Sequence, residues 1–87
     1  MIKKNRLKTN YTLHPSTTLR EKLEELKMTP QDLAIKTGSS VDVILSILNR
    51  ESAITPEIAI QLEKALGIPA SFWITKQLNY NLFAVSN

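Results

Sequence analysis

The sequence predicts an all-α protein of five short helices. Three observations carry that prediction. Apolar residues recur three and four positions apart in separate stretches, as at Leu19, Leu23 and Leu26, and again at Ile58, Leu62, Ala65 and Leu66. That is the repeat of a helix with one buried face. Threonine stands directly before proline at Thr29–Pro30 and Thr55–Pro56. A threonine hydroxyl can accept from a first-turn amide, and proline fits the first helical position, where no N–H is needed. The chain holds only two glycines, Gly38 and Gly67, each placed where a periodic stretch ends. No Asn-Gly hairpin signal is present.

The elements follow in order. Residues 1–15 lack periodicity and read as an extended or disordered arm closing at His14–Pro15, since Pro15 disfavours helix at His14. The first helix is expected from about 17 or 18 to 27, with Leu19, Leu23 and Leu26 inward and Arg20, Glu24, Glu25 and Lys27 on a solvated face. The second spans 30–37, capped by Thr29, with Asp32 completing a short-armed capping box. Leu33 and Ala34 face inward, and Ala34 is small enough for a second helix to cross closely. Gly38 supplies the backbone angles of a tight turn. Ser40 caps a third helix over about 41–50, with Ile44, Ile47 and Leu48 on its apolar face. The fourth begins at Thr55–Pro56 and stops at Gly67. The fifth starts near Pro69 or Ala70 and runs to about 78 or 79. The chain thus divides into a basic arm (1–13), a helical domain (14–80) and a tail (81–87).

Composition narrows the function classes. With 87 residues, the chain accommodates one modest core. It has no cysteine and a single histidine, so neither a disulfide framework nor an all-protein zinc site is expected, and no cofactor is implied. No apolar run approaches the roughly 20 residues needed to span a bilayer, and no apolar segment follows the N-terminal lysines as in a secretory signal. A cytoplasmic protein is the expectation. Lys3, Lys4, Arg6 and Lys8 are the only charged residues in positions 1–15, whereas 16–87 carries seven basic and eight acidic side chains. The net charge of +3 therefore resides in the arm, which suits a phosphate backbone or, alternatively, a solubilising tail.

Enzyme chemistry finds little support. A triad needs a base held beside its nucleophile by an orienting acid, and His14 sits at the domain edge beside a proline, where capping is its natural role. Glu21, Glu24 and Glu25 are interleaved with Arg20, Lys22 and Lys27, as on a solvated face. No glycine-rich phosphate loop exists. The chain is expected not to be an enzyme.

The Ala34, Gly38 and Ile44 spacing lies within a pattern that covers most of the chain. His14–Pro15 and Leu19–Arg20–Glu21 open it. Leu48–Asn49 and Ile54–Thr55–Pro56–Glu57 join the third and fourth helices. Leu62, Lys64–Ala65–Leu66–Gly67, Phe72–Trp73, Gln77 and Asn79–Tyr80 close it. This ordered set, over roughly residues 14–82, resembles the HigA antitoxin family, also called VapI-like. That family lies among the Xre-type helix-turn-helix proteins of the lambda-repressor and Cro superfamily. The resemblance implies a compact five-helix domain that dimerises through its C-terminal part. It also implies binding to an inverted-repeat operator in double-stranded DNA, autoregulation as a repressor, and neutralisation of a HigB-like ribonuclease toxin.

In such a unit the third helix enters the major groove. The expected recognition-helix contacts are Ser40, Val41, Asp42 and Ser46 on bases and Asn49, by its match to the family motif, on a phosphate. Gln31, Lys36 and Arg50 are expected on phosphates, joined by Lys3, Lys4 and Arg6 of the arm. Trp73, Ile74, Leu78 and Tyr80 are expected in a dimer interface. Two departures from the family pattern stand out. Pro30 occupies the helix-2 position that often holds Gln, and Gln31 follows it. The outward positions of the third helix include Val41, Asp42, Val43 and Leu45 where Arg, Lys, Ser, Gln or Asn is usual. No cation lies between Lys36 and Arg50. An alternative is therefore a protein-interaction module that keeps the scaffold but has lost the DNA face. The apolar tail ends without a stop signal, which points to a longer parent protein.

Overall fold

A computed structural model describes residues 14–86, and the arm residues Lys3, Lys4 and Arg6 lie outside them. Five helices follow in order: α1 (Pro15–Leu26), α2 (Pro30–Thr37), α3 (Val41–Leu48), α4 (Pro56–Leu66) and α5 (Ala70–Ser86). Each of the first four begins on a side-chain cap. Thr29 and Asp32 form the reciprocal capping box, with the Thr29 amide donating to Asp32 at 3.1 Å and the Asp32 amide donating to Thr29 at 3.0 Å. Ser40 accepts from the Val43 amide at 3.3 Å, and Thr55 from the Ile58 amide at 3.2 Å.

Three helix limits differ from the sequence expectation by two residues or more. Helix α1 starts at Pro15, two or three residues early. His14 is its cap, and the Nδ1 atom accepts from the Ser16 amide at 3.0 Å. Proline tolerates the first helical position, so the His14–Pro15 pair that bars helix before it initiates helix after it. Helix α3 ends at Leu48 rather than near 50, because Arg50 turns into the left-handed region at φ 62°. The Arg50 amide donates to the Ile47 carbonyl and the Glu51 amide to the Ser46 carbonyl, at 3.0 and 2.8 Å. This pair of hydrogen bonds closes the helix as a Schellman motif. Helix α5 continues to Ser86, through the stretch read as a patternless tail.

Leu19, Leu23, Leu33, Ala34, Ile44, Ile47, Leu48, Ile54, Ala59, Leu62, Leu66 and Trp73 form one core. Helix α2 packs on α3 and α4, α1 packs on α3 and α5, and α4 packs on α5. Helix α3 is therefore held on its inner side by two helices and left open on its outer side. No helix among the described residues is long and apolar enough to cross a membrane.

Candidate nucleic-acid interface

The outward face of α3 follows from its inward one. Ile44, Ile47 and Leu48 are buried, and Val41 packs partly against the core. At about 100° per residue, the opposite side of the helix carries Asp42, Ser46 and Asn49. Leu45 and Val43 flank them, 38% and 37% exposed. Asp42 and Asn49 are exposed, whereas Ser46 is half-buried. Ser46 lies next to the returning chain, its carbonyl accepting from the Glu51 and Ser52 amides at 2.8 and 3.3 Å. The eight residues of α3 extend about 12 Å, and a helix with side chains is about 10–12 Å across. That cylinder fits a DNA major groove about 12 Å wide.

Three side chains fix the pose of this helix. The Arg20 guanidinium on α1 donates to the Leu48 carbonyl at 2.8 Å and so satisfies an end carbonyl of α3. The Ser39 hydroxyl, in the turn before α3, donates to the Gln61 side chain of α4 at 2.8 Å. The Gln77 side chain accepts from the Ile54 amide at 2.9 Å, tying the α3–α4 loop to α5, and donates to Asn81 at 3.0 Å. Sequence reasoning assigned none of these bonds. Arg20 and Leu48 are 28 positions apart, and Ile54 and Gln77 are 23 apart. No local spacing rule links such pairs.

Positive charge is arranged around the face rather than on it. Asp42 is the only ionised side chain on α3 and lies in its first turn, where the helix dipole favours an anion. Lys36, exposed in the last turn of α2, stands ahead of the face in the chain. Arg50, exposed just past the end of α3, stands behind it. Gln31 is exposed in the first turn of α2. His14, the cap of α1, is buried. Its pKa is lowered by desolvation and, secondarily, by the Arg50 charge, and its ring meets Tyr80 edge-on at 4.6 Å.

The helix-turn-helix family model matches residues 19–73. The chain belongs to the HigA-type helix-turn-helix family. It is 36% identical over 75 residues to virulence-associated protein A of Dichelobacter nodosus, covering 84% of this chain and 74% of that protein. It is similar to an addiction-module antidote protein of the HigA family from Coxiella burnetii, with a TM-score of 0.79 and 32% identity. That likeness covers 82% of this chain and 78% of the other. It is also similar to the Pseudomonas aeruginosa antitoxin HigA solved with the higBA promoter. There the TM-score is 0.80 at 30% identity, over 83% of this chain and 79% of that one.

Within the HigA-type fold, the expected residues separate into three groups. Ser40, Val41, Asp42, Ser46 and Asn49 lie on or beside α3, with Ser40 engaged as its cap and Val41 half inside. Gln31, Lys36 and Arg50 occupy the exposed rim. The C-terminal set divides. Trp73 is 0% exposed and belongs to the protomer's own core, so its assignment to a dimer interface is corrected. Its neighbour Phe72, meeting it edge-on at 5.3 Å, is the outward ring. Adjacent helix positions point about 100° apart, and the domain takes the larger ring for itself. Ile74 packs partly on the core, and Tyr80 is half-buried against His14. Leu78 is 56% exposed and Leu82 67%.

Proposed function

We propose that this chain is the antitoxin of a HigBA-like pair and represses its own operon by binding operator DNA as a homodimer. One observation carries the reading. The HigA-type scaffold leaves the outer face of α3 open between Lys36 and Arg50, in a fold shared with an antitoxin solved on its promoter. Two copies of α3 would enter successive major grooves about 34–36 Å apart on an inverted repeat. Lys36, Arg50 and the arm residues Lys3, Lys4 and Arg6 supply salt-dependent phosphate attraction. Gln31 adds a neutral contact at the start of α2. The exposed Phe72, Leu78 and Leu82 of α5, with Ile60 of α4, supply the apolar surface for the second copy. The partner toxin is a HigB-like ribonuclease encoded beside this gene.

The test is a mobility shift of the chain on its own promoter fragment, at low and physiological salt, against a scrambled duplex. Preferential, salt-sensitive binding supports the repressor. Equal binding to both duplexes removes it. Copurification with the neighbouring gene product tests the toxin pairing separately.

A further inference from the structure

We infer that the α3 face reads pyrimidine edges in the major groove. Val43 and Leu45 meet thymine methyl groups, and Asp42 accepts from a cytosine N4 amino group. The inference rests on the repressor reading and specifies which bases it recognises.

Elimination among base edges leads there. Guanine presents only acceptors, N7 and O6, and its usual partner is Arg or Lys. The face holds neither, and the Asp42 carboxylate repels those acceptors. Adenine is usually read by Asn or Gln. The one such residue, Asn49, lies seven positions beyond Asp42, about 10 Å farther along the axis. Base contacts come mainly from the N-terminal end of a recognition helix. Ser40 accepts from Val43 as the cap of α3, and its remaining hydroxyl proton can go to any base acceptor and so selects none, while Ser46 is half-buried. The exposed chemistry at that end is then one anionic acceptor flanked by branched apolar side chains. In the major groove only cytosine N4 and adenine N6 donate, and only thymine offers a methyl. Adenine N6 sits beside the N7 acceptor, which repels a carboxylate, so cytosine is the better match.

The anion also sharpens discrimination. An unpaired Asp42 near phosphates is repelled, with Lys36 and Arg50 offsetting that repulsion only at the rim. A site lacking the cytosine amino group therefore leaves a net penalty, which separates right from wrong sequences more than it tightens the right one.

The experiment selects bound duplexes from a randomised library with the full chain, then replaces each half-site thymine by deoxyuridine. That replacement removes a methyl and preserves base pairing. Adjacent T and C on one strand of each half-site are expected. Each contacted methyl lost should weaken binding about fourfold, from the ~0.8 kcal/mol of a buried methylene-sized group. Deoxyuridine outside the half-sites should have no effect. Asp42→Ala should lose the cytosine preference, and Leu45→Ala should abolish deoxyuridine sensitivity at one position, with thermal unfolding confirming that both variants fold. Enriched half-sites insensitive to deoxyuridine and still cytosine-selective in Asp42→Ala would overturn this inference and leave the repressor intact. No enrichment at all would remove the repressor reading beneath it.

Discussion

His14 combines a cap, a ring contact and a titratable group in one buried side chain. Its Nδ1 must be unprotonated to accept from the Ser16 amide. Desolvation, then Arg50, lower its pKa below the ordinary 6.5. The unfolded chain thus takes up a proton near pH 6.5, while the folded chain resists until lower pH. Its contribution to stability is complete above about pH 6.5 and is lost as pH falls through the lower folded value. The urea midpoint should therefore drop between pH 7 and pH 5, and His14→Asn, which keeps a cap acceptor, should flatten that drop. An unchanged slope in the variant would contradict the assignment. Gly38 is a second single-residue case. A Cβ there would meet nothing within 4 Å, so only its φ of 74° demands glycine. Gly38→Ala should cost about 1 kcal/mol through backbone strain alone, read by chemical denaturation. Lys27 occupies the same left-handed region at φ 54° without being glycine, and Lys27→Gly should act in the opposite sense.

Helix α3 is short enough that its orientation depends on what grips its ends. Eight residues make about two turns, too few to persist in isolation. Ser40 holds the start, and Arg20 and the Schellman closure hold the finish. Arg20→Gln should lower stability by about 1 kcal/mol, discounted from the usual charged bond because Arg20 is exposed. Hydrogen exchange should rise at the Asn49, Arg50 and Glu51 amides, which close the helix beside the Leu48 carbonyl. Loss of stability without that local rise would assign Arg20 a general packing role. On the rim, Lys36→Gln should weaken binding to all duplexes alike and reduce the salt slope by about 1 per contact. A changed sequence preference would move Lys36 from the phosphates to the bases.

At the scale of the whole molecule, the exposed Phe72, Leu78 and Leu82 give α5 an apolar outer surface beyond what the protomer core uses. A domain with one modest core gains from covering such a surface with a second copy. In the proposed homodimer, Leu78→Glu should leave the protomer folded and shift sedimentation equilibrium from dimer to monomer. Operator affinity should fall with it, because two linked half-sites become two separate encounters. A Leu78→Glu protein that stays dimeric would place the interface elsewhere.

By itself the sequence determined the five helices, their caps at Thr29, Ser40 and Thr55, the turn at Gly38, and most of the buried stripe, because caps and helical periodicity are local. It also located the outward face of α3, since Ile44, Ile47 and Leu48 define its opposite. The tertiary structure decided what depends on long-range contact. Trp73 turned inward while Phe72 faced out, because a single core site accepts one large ring of two adjacent ones. Helix α5 ran on to Ser86, beyond the last residue whose pattern announced it. Arg20 found the Leu48 carbonyl, and Gln77 found the Ile54 amide, across 28 and 23 positions. Those pairings exist only once the chain has packed, because packing alone brings distant polar groups within hydrogen-bond reach.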